Sequence, residues 1–222
     1  MHSVLDRLYL LQGVDILPAG ESFRLFAPDP SIQYHPLCDD FGPMNMSSII
    51  QFVRQLEDEL NQFQSCTLLY SVETCKRSLT NAVFLLGAYM ILRMQYTAEE
   101  VAQSFAWLEP NMIEAYRDAT FNASDFDLSL IDCWRGLIKG MEQGWLEMPS
   151  SPSDYRWGDI DVDEYDHYDN PLNGDMHEIV PGKLIAFKGP RDLCGGRYLD
   201  DAQGSRDFSA ECYFDIFDDF GV

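Results

Sequence analysis

The feature that most restricts how this chain can fold is its longest apolar stretch, AVFLLGAYMIL at Ala82–Leu92. Crossing a bilayer takes about 20 apolar residues, so this stretch is too short to span a membrane, and Arg93 follows it directly. It is better explained as part of a helix, from about Arg77 to Met94, that is covered on most of its sides. The preceding segment Thr67–Val72 is short and rich in β-branched and aromatic residues, which is typical of a buried central strand. The two segments predict a strand followed by a buried helix at the centre of the fold.

Further helices are predicted where apolar residues recur at spacings of three and four. One helix follows Ser47, and its apolar face consists of Ile49, Ile50, Val53, Leu56, Leu60 and Phe63. Thr97 and Glu100 match the capping box, in which a hydroxyl and a carboxylate bond to amides of the first turn, so another helix begins there. A later helix carries Leu128, Ile131, Trp134, Ile138, Met141 and Trp145. Short strands are predicted at Leu8–Leu11, Phe23–Phe26 and Lys183–Phe187. This pattern indicates an α/β fold in which helices cover a small sheet.

The composition is strongly acidic, with 37 Asp and Glu against 15 Lys and Arg and a formal net charge of -22. Such a charge repels nucleic acid backbones and anionic membrane surfaces and favours basic partners, although it can also serve only to keep the protein soluble. The cysteines are scattered without a C-x-x-C pair, which is typical of reduced thiols and provides no zinc ribbon. The first residues, MHSVLDRLYLLQGV, lack the basic and apolar regions of a secretory signal. We therefore expect an intracellular protein that binds neither nucleic acid nor membrane, and we predict no metal and no cofactor.

The composition changes after Met148. Pro149–Ser153 is rich in Pro and Ser, and residues 154–178 carry nine acidic side chains against one basic side chain. We accordingly divide the chain into a domain of residues 1–148, an acidic linker of residues 149–180 and a third part of residues 181–222. In this third part Phe208–Phe220 is predicted to be a helix. Its aromatic face is expected to need a cover and consists of Tyr213, Phe214, Phe217 and Phe220.

Several segments match one protein family in order and spacing. They are DFGPMNM at Asp40–Met46, KR at Lys76–Arg77, NAVFLLGAY at Asn81–Tyr89, DVDEYDHY at Asp161–Tyr168, NGD at Asn173–Asp175 and IVPGKLIAFKGP at Ile179–Pro190. Over roughly residues 4–190 the sequence resembles the amino-terminal half of the cell-division-cycle-fourteen family of dual-specificity phosphatases, which reverse mitotic cyclin-dependent kinase phosphorylation. The resemblance implies two phosphatase-like domains in tandem, of which only the second carries the catalytic loop. Residues 1–148 would then be a dual-specificity-phosphatase-like, non-catalytic domain, and residues 181–222 the truncated start of the catalytic domain.

The chain lacks the catalytic loop of cysteine phosphatases. Those enzymes need a thiolate, a loop of backbone amides and an Arg six positions after the Cys, and no Cys of this chain is followed by Arg at that spacing. Where the resembling domain would place an equivalent loop, Cys75 precedes Lys76 and Arg77 at the start of a helix. These charges and the helix amino terminus would lower the pKa of the Cys75 thiol, but no glycine-rich phosphate cradle accompanies it. We predict no catalytic residue, and we predict an anion site at Lys76 and Arg77.

The acidic linker carries the binding site that the resemblance implies. In this family, carboxylates of the linker helix and of the amino-terminal domain form a groove for the basic residue that lies beyond the phospho-Ser-Pro of a substrate. Asp163, Glu164, Asp166 and Asp169 match those linker positions in kind, and clustered anions would attract Lys or Arg and set its register. The alternative is a solvated acidic face without a ligand. The nearby histidines, His167 and His177, are more typical of packing or hydrogen-bonding residues than of catalytic bases.

We predict the substrate-recognition half of a dual-specificity protein phosphatase that reverses proline-directed mitotic phosphorylation and is inactive by itself. Its partners would be phosphoproteins with basic residues near phospho-Ser-Pro, and a separate catalytic domain or a second copy of the chain. The alternative is a stand-alone pseudophosphatase that binds basic or phosphorylated partners. The uncovered aromatic face predicted in the last helix favours a truncated chain over this alternative. The resemblance implies a location in the nucleus, in the cytoplasm or at the spindle.

Overall fold

The computed structural model shows a mixed α/β protein, which confirms the predicted fold class. It describes residues 1–13, 22–36, 38–120, 122–149, 156–158, 160–180, 182–202 and 206–221. Contacts between residues divide the chain into two compact units, Met1–Gly140 (unit 1) and Met141–Val222 (unit 2), which we describe separately. Unit 2 thus includes both the acidic linker and the third part predicted from the sequence, and the boundaries at residues 148 and 180 stay predictions. Residues 150–153 of the predicted Pro/Ser linker lie outside the described residues.

Unit 1 contains a four-stranded sheet in which the strand Thr67–Val72 is central, as predicted. Its strands are β1 (His2–Leu5), β2 (Leu8–Gln12), β3 (Phe23–Phe26) and β4 (Thr67–Val72), in the order β1-β2-β4-β3. Strand β4 runs parallel to both β2 and β3, while β1 and β2 are antiparallel. The strands β2, β3 and β4 confirm the sequence predictions, and β1 was not predicted. The carboxyl ends of the three parallel strands β2, β3 and β4 therefore lie at the same end of the sheet.

Four helices of unit 1 follow the predicted order. They are α1 (Met46–Gln62), α2 (Lys76–Met94), α3 (Ala98–Ser104) and α4 (Leu130–Glu142), the last of which ends two residues beyond the unit. A short hairpin of β5 (Tyr116–Arg117) and β6 (Asp127–Leu128) lies between α3 and α4. The capping box predicted for α3 is present, because Thr97 and Glu100 each accept a hydrogen bond from the other's backbone amide. Leu128 corrects one prediction. It was predicted to belong to the helix, but it lies in β6 and is exposed. The helix begins after it, because the side chains of Ser129 and Asp132 each accept a hydrogen bond from the other's backbone amide.

Helix α2 is buried on nearly all of its surface, as its sequence predicts. Its buried residues include Leu79, Thr80 and the whole stretch 82–92. Thr80 tolerates burial because its hydroxyl donates a hydrogen bond within the helix to the carbonyl of Lys76, at 2.9 Å. A membrane-crossing helix would have to be longer and more apolar than any helix in the described ranges.

In the described residues of unit 2 there are two helices and three small two-stranded sheets. Its elements are β7 (Arg156–Trp157), β8 (Ile160–Asp161), α5 (Val162–Asp169), β9 (Met176–Val180), β10 (Leu184–Phe187), β11 (Tyr198–Asp200), β12 (Arg206–Phe208) and α6 (Ala210–Asp219). The pairs β7·β8, β9·β10 and β11·β12 are all antiparallel. Strand β10 confirms the prediction at Lys183–Phe187. Strand β9 was missed, because its residues belong to the acidic stretch that was assigned to a linker.

The aromatic face of α6 is largely covered, contrary to the expectation. Tyr213 is only 1% exposed, and its ring lies 4.9 Å from that of Phe187 on β10 and 5.5 Å from that of Phe208 on β12. Phe217 also contacts Phe187, with ring centroids 5.0 Å apart. Phe214 alone matches the expectation, since it is 61% exposed. Because the strands of unit 2 supply the missing ring partners, this face provides no argument that the chain is truncated.

Candidate functional site

Helix α5 begins with a cap that its own sequence provides. The carboxylate of Asp161 accepts a hydrogen bond from the backbone amide of Glu164, at 3.2 Å. Asp163 and Glu164 lie in the first turn, where the positive end of the helix dipole favours acidic side chains. The acidic sequence therefore both starts the helix and concentrates negative charge at its amino terminus.

A shallow pocket lies beside α5, and we call it the acidic pocket. Its polar lining residues are Asp161, Glu164, His177 and Glu178, and its other lining residues are Ile160, Tyr165, Tyr168, Met176 and Phe220. Three carboxylates thus meet aromatic rings in one concave surface. The space measures only about 20 Å³, so it has room for no more than the charged end of a Lys or Arg side chain, which the carboxylates and the faces of the aromatic rings would attract.

The acidic pocket contains only one of the four groove residues predicted from the sequence. Glu164 lines it, whereas Asp163 and Asp166 are exposed residues of α5 that do not line it. The residues that the prediction missed are Asp161, Tyr165, Tyr168 and Glu178. The sequence did contain a signal for Asp161, Tyr165 and Tyr168, because their spacing from Glu164 is that of one helix face. Glu178 lies on β9, so its approach to α5 could not be read from local spacing.

The fourth predicted groove residue, Asp169, is engaged by a histidine. Nδ1 of His177 lies 2.9 Å from a carboxylate oxygen of Asp169, and both side chains are about two-thirds covered. The nearby carboxylate of Asp169 raises the pKa of His177, although burial acts in the opposite direction. The imidazole of His177 also lies against the ring of Tyr165, with centroids 5.6 Å apart. Asp169 is therefore one partner of His177, and the predicted role of Asp169 in a groove stays a prediction.

The predicted anion site in unit 1 has a neutralised guanidinium. Nη2 of Arg77 lies 2.8 Å from Glu114 and 3.0 Å from Asp39, and Nη1 donates to the carbonyl of Asp40. These carboxylates already neutralise the positive charge of Arg77 to which an external anion would bind, so the geometry weighs against an anion site at Arg77. Lys76 is exposed.

Cys75 lies at the amino terminus of α2, where the sequence suggested an altered thiol. The pKa of Cys75 is lowered chiefly by the backbone amide of Ser78 near its sulfur, while partial burial opposes this shift, and the thiol makes no capping hydrogen bond to the helix. The charge of Glu73 also opposes it. The position of Cys75 corresponds to the strand-to-helix turn after β4, but the sequence places no Arg at the spacing that a phosphatase loop requires. Across the described ranges, no three His, Cys, Asp or Glu residues are grouped to hold a metal ion.

Comparison with known proteins confirms the family resemblance. Residues 2–140 match the family described as dual specificity protein phosphatase, N-terminal half. The dual specificity protein phosphatase CDC14A of Homo sapiens is 30% identical over 187 residues, which cover 83% of this chain and 30% of that protein. The tyrosine-protein phosphatase cdc-14 of Caenorhabditis elegans is 28% identical over 191 residues, which cover 83% of this chain and 25% of that protein. This chain thus spans about 30% of the length of CDC14A. It belongs to the CDC14-like dual-specificity protein phosphatases and corresponds to their N-terminal half.

Proposed function

We propose that this chain is the substrate-recognition half of a phosphatase that removes proline-directed mitotic phosphorylation. In this proposal it binds phosphoproteins that carry a Lys or Arg beyond a phospho-Ser-Pro, and a separate catalytic domain performs the hydrolysis. The observation that supports it is the acidic pocket, where Asp161, Glu164 and Glu178 surround a space walled by two tyrosine rings. The names of the relatives as dual-specificity and tyrosine-protein phosphatases agree with a phosphoprotein ligand.

The pocket residues, rather than the whole acidic stretch, should carry the binding. Glu164→Gln combined with Glu178→Gln removes two charges from the pocket while keeping similar side-chain shapes. The amide oxygen of the substituted side chain can still accept the hydrogen bond that Glu178 accepts from the Gly182 amide. We expect this double variant to bind a phospho-Ser-Pro peptide with a downstream Lys about tenfold more weakly, as measured by calorimetry at low salt. The Asp163→Asn, Asp166→Asn double variant removes the same charge from exposed positions on the same helix and should lose much less affinity.

Two results would contradict this assignment. One is equal loss of affinity in both double variants, which would mean that the general negative charge binds the peptide. The other is unchanged affinity when Lys of the peptide is replaced by Glu. A parallel assay should show no hydrolysis of the same peptide, and hydrolysis that disappears in Cys75→Ser would reveal a catalytic loop of a kind that the sequence does not predict.

A further inference from the structure

A cleft in unit 1 lies at the carboxyl ends of the parallel strands of the sheet. It has a volume of about 540 Å³ and runs between the segment 28–36 that follows β3 and the turn that joins β4 to α2. Its floor is apolar and consists of the buried residues Phe41, Met44, Tyr70, Ala82 and Leu85. Ligand pockets typically measure roughly 300–1,000 Å³, and in α/β folds they form at the carboxyl ends of parallel strands. Size and position therefore both favour a binding site.

The wall formed by residues 28–36 is held in place by polar contacts. The backbone amide of Asp29 donates to Oε1 of Gln55 on α1, at 2.9 Å, and the carboxylate of Asp29 accepts from both the amide and the hydroxyl of Ser31. Farther along, the hydroxyl of Tyr34 donates to the carboxylate of Asp40. These contacts, with the prolines in the same segment, give the cleft a preformed wall, so a ligand would not need to order it.

The charge at the cleft is negative. Its acidic lining residues, Asp29 and Glu73, are both exposed. Among the described lining residues the only basic one is Arg77, and its guanidinium is already paired with Asp39 and Glu114. A ligand with a positive group is therefore favoured at this rim, and an anionic ligand is disfavoured.

We propose that this cleft binds an extended peptide segment that places a Lys or Arg beside Glu73 and apolar side chains on the floor. Half-buried Ile32 and Pro28 add to the apolar surface of the cleft. Ser78 and Asn81 add polar atoms to the opposite wall, where the hydroxyl of Ser78 donates to Glu73 and Oδ1 of Asn81 accepts from the hydroxyl of Tyr116. An extended peptide matches this mixture, because it needs apolar contact for its side chains and polar partners for its backbone. The peptide requires no phosphate, and this site does not depend on the acidic pocket or on the proposed function.

The test is a fluorescence anisotropy titration of the whole chain with the fluorescein-labelled peptide Ala-Ile-Lys-Ile-Ala. We expect saturable binding that weakens about tenfold in Glu73→Gln, and a similar loss when Glu replaces Lys in the peptide. Ile32→Ser should also weaken binding, by removing apolar contact. The matched control is Asp58→Asn, which removes one charge from an exposed position on α1 outside the cleft and should bind like the native chain. Circular dichroism of each variant checks that the fold is retained.

The variants distinguish binding at the cleft from binding at the acidic pocket. Absence of saturable binding, or equal loss in Glu73→Gln and Asp58→Asn, would overturn the cleft as a specific site. Loss of probe binding in the Glu164→Gln, Glu178→Gln variant but not in Glu73→Gln would assign the probe to the acidic pocket and would likewise overturn the proposal. Retained probe binding in that double variant, together with loss in Glu73→Gln, would support the cleft whatever becomes of the proposed function.

Discussion

Gly87 shows how a single residue can determine the packing of unit 1. A Cβ atom at this position would lie only 2.4 Å from Cε2 of Trp134 on α4, far inside a normal contact distance. The indole cannot easily move away, because Trp134 is 2% exposed and its Nε1 donates a hydrogen bond to the carbonyl of Phe84. Gly87, in the long apolar stretch, therefore allows α2 and α4 to approach each other closely.

Gly87→Ala should lower the free energy of unfolding, because overfilling a packed core usually costs about 1–3 kcal/mol. This loss should prevail over the roughly 1 kcal/mol by which Ala is favoured over Gly in a helix. Urea unfolding followed by circular dichroism measures the difference. The control is Gly136→Ala in α4, where a Cβ would meet nothing within 4 Å, so this substitution should be neutral or stabilising. Equal behaviour of the two variants would contradict the packing argument.

Helix α5 and strand β9 are joined by a charged contact as well as by the acidic pocket. Asp169 is the last residue of α5, and its partner His177 is on β9. The pKa of His177 is raised by the adjacent carboxylate of Asp169 and by the charge of Asp175. A raised pKa means that the protonated imidazole stabilises the folded state fully below the ordinary histidine pKa of 6.5, and that this contribution is lost as the pH rises through the raised value.

His177→Gln should therefore lower the free energy of unfolding most at about pH 6 and less at about pH 8. Urea unfolding of the native chain and the variant across this range measures the effect as a difference between the two proteins. His167→Gln, which removes an exposed histidine from the same region, serves as the matched control. A native advantage that grows as the pH rises would have the wrong sign for a histidine paired with Asp169.

The whole molecule carries a large excess of negative charge. The described part of the chain contains ion pairs such as Arg24–Glu59 and Arg206–Asp200, but a net charge of -22 leaves many acidic side chains that repel one another. Compaction brings these charges together, so repulsion opposes folding. Salt screens such repulsion over about 10 Å at 0.1 M.

The melting temperature should accordingly rise when salt is increased from about 0.01 M to about 0.15 M. A gain of about 1 kcal/mol would raise it by about 2–4 °C in a chain of this size. Differential scanning calorimetry in sodium chloride and in potassium chloride should give the same increase, because screening depends on ionic strength. A fall in melting temperature with added salt would mean that attractive ion pairs outweigh the repulsion.

Most helices and the main strands of unit 1 could be predicted because their signals are local. The spacing of apolar residues indicated α1, the unbroken apolar stretch indicated α2, and Thr97 with Glu100 indicated the start of α3. Each of these patterns reports how neighbouring residues share one face or bond to one turn. Strand β9 was missed for the same reason, since its acidic residues resemble a solvated linker when they are considered without β10 and α5.

The sequence by itself determined the α/β class and the lack of a C-x5-R loop, because these depend on periodicity and spacing along the chain, and the family was identified from the resemblance of several segments. Only the tertiary structure decided which charged groups meet. It pairs Arg77 with Asp39 and Glu114, pairs Asp169 with His177, and brings Glu178 to the carboxylates of α5. Such contacts form between residues that are distant in sequence or on different elements, so they depend on how elements pack, and local patterns carry no record of that packing.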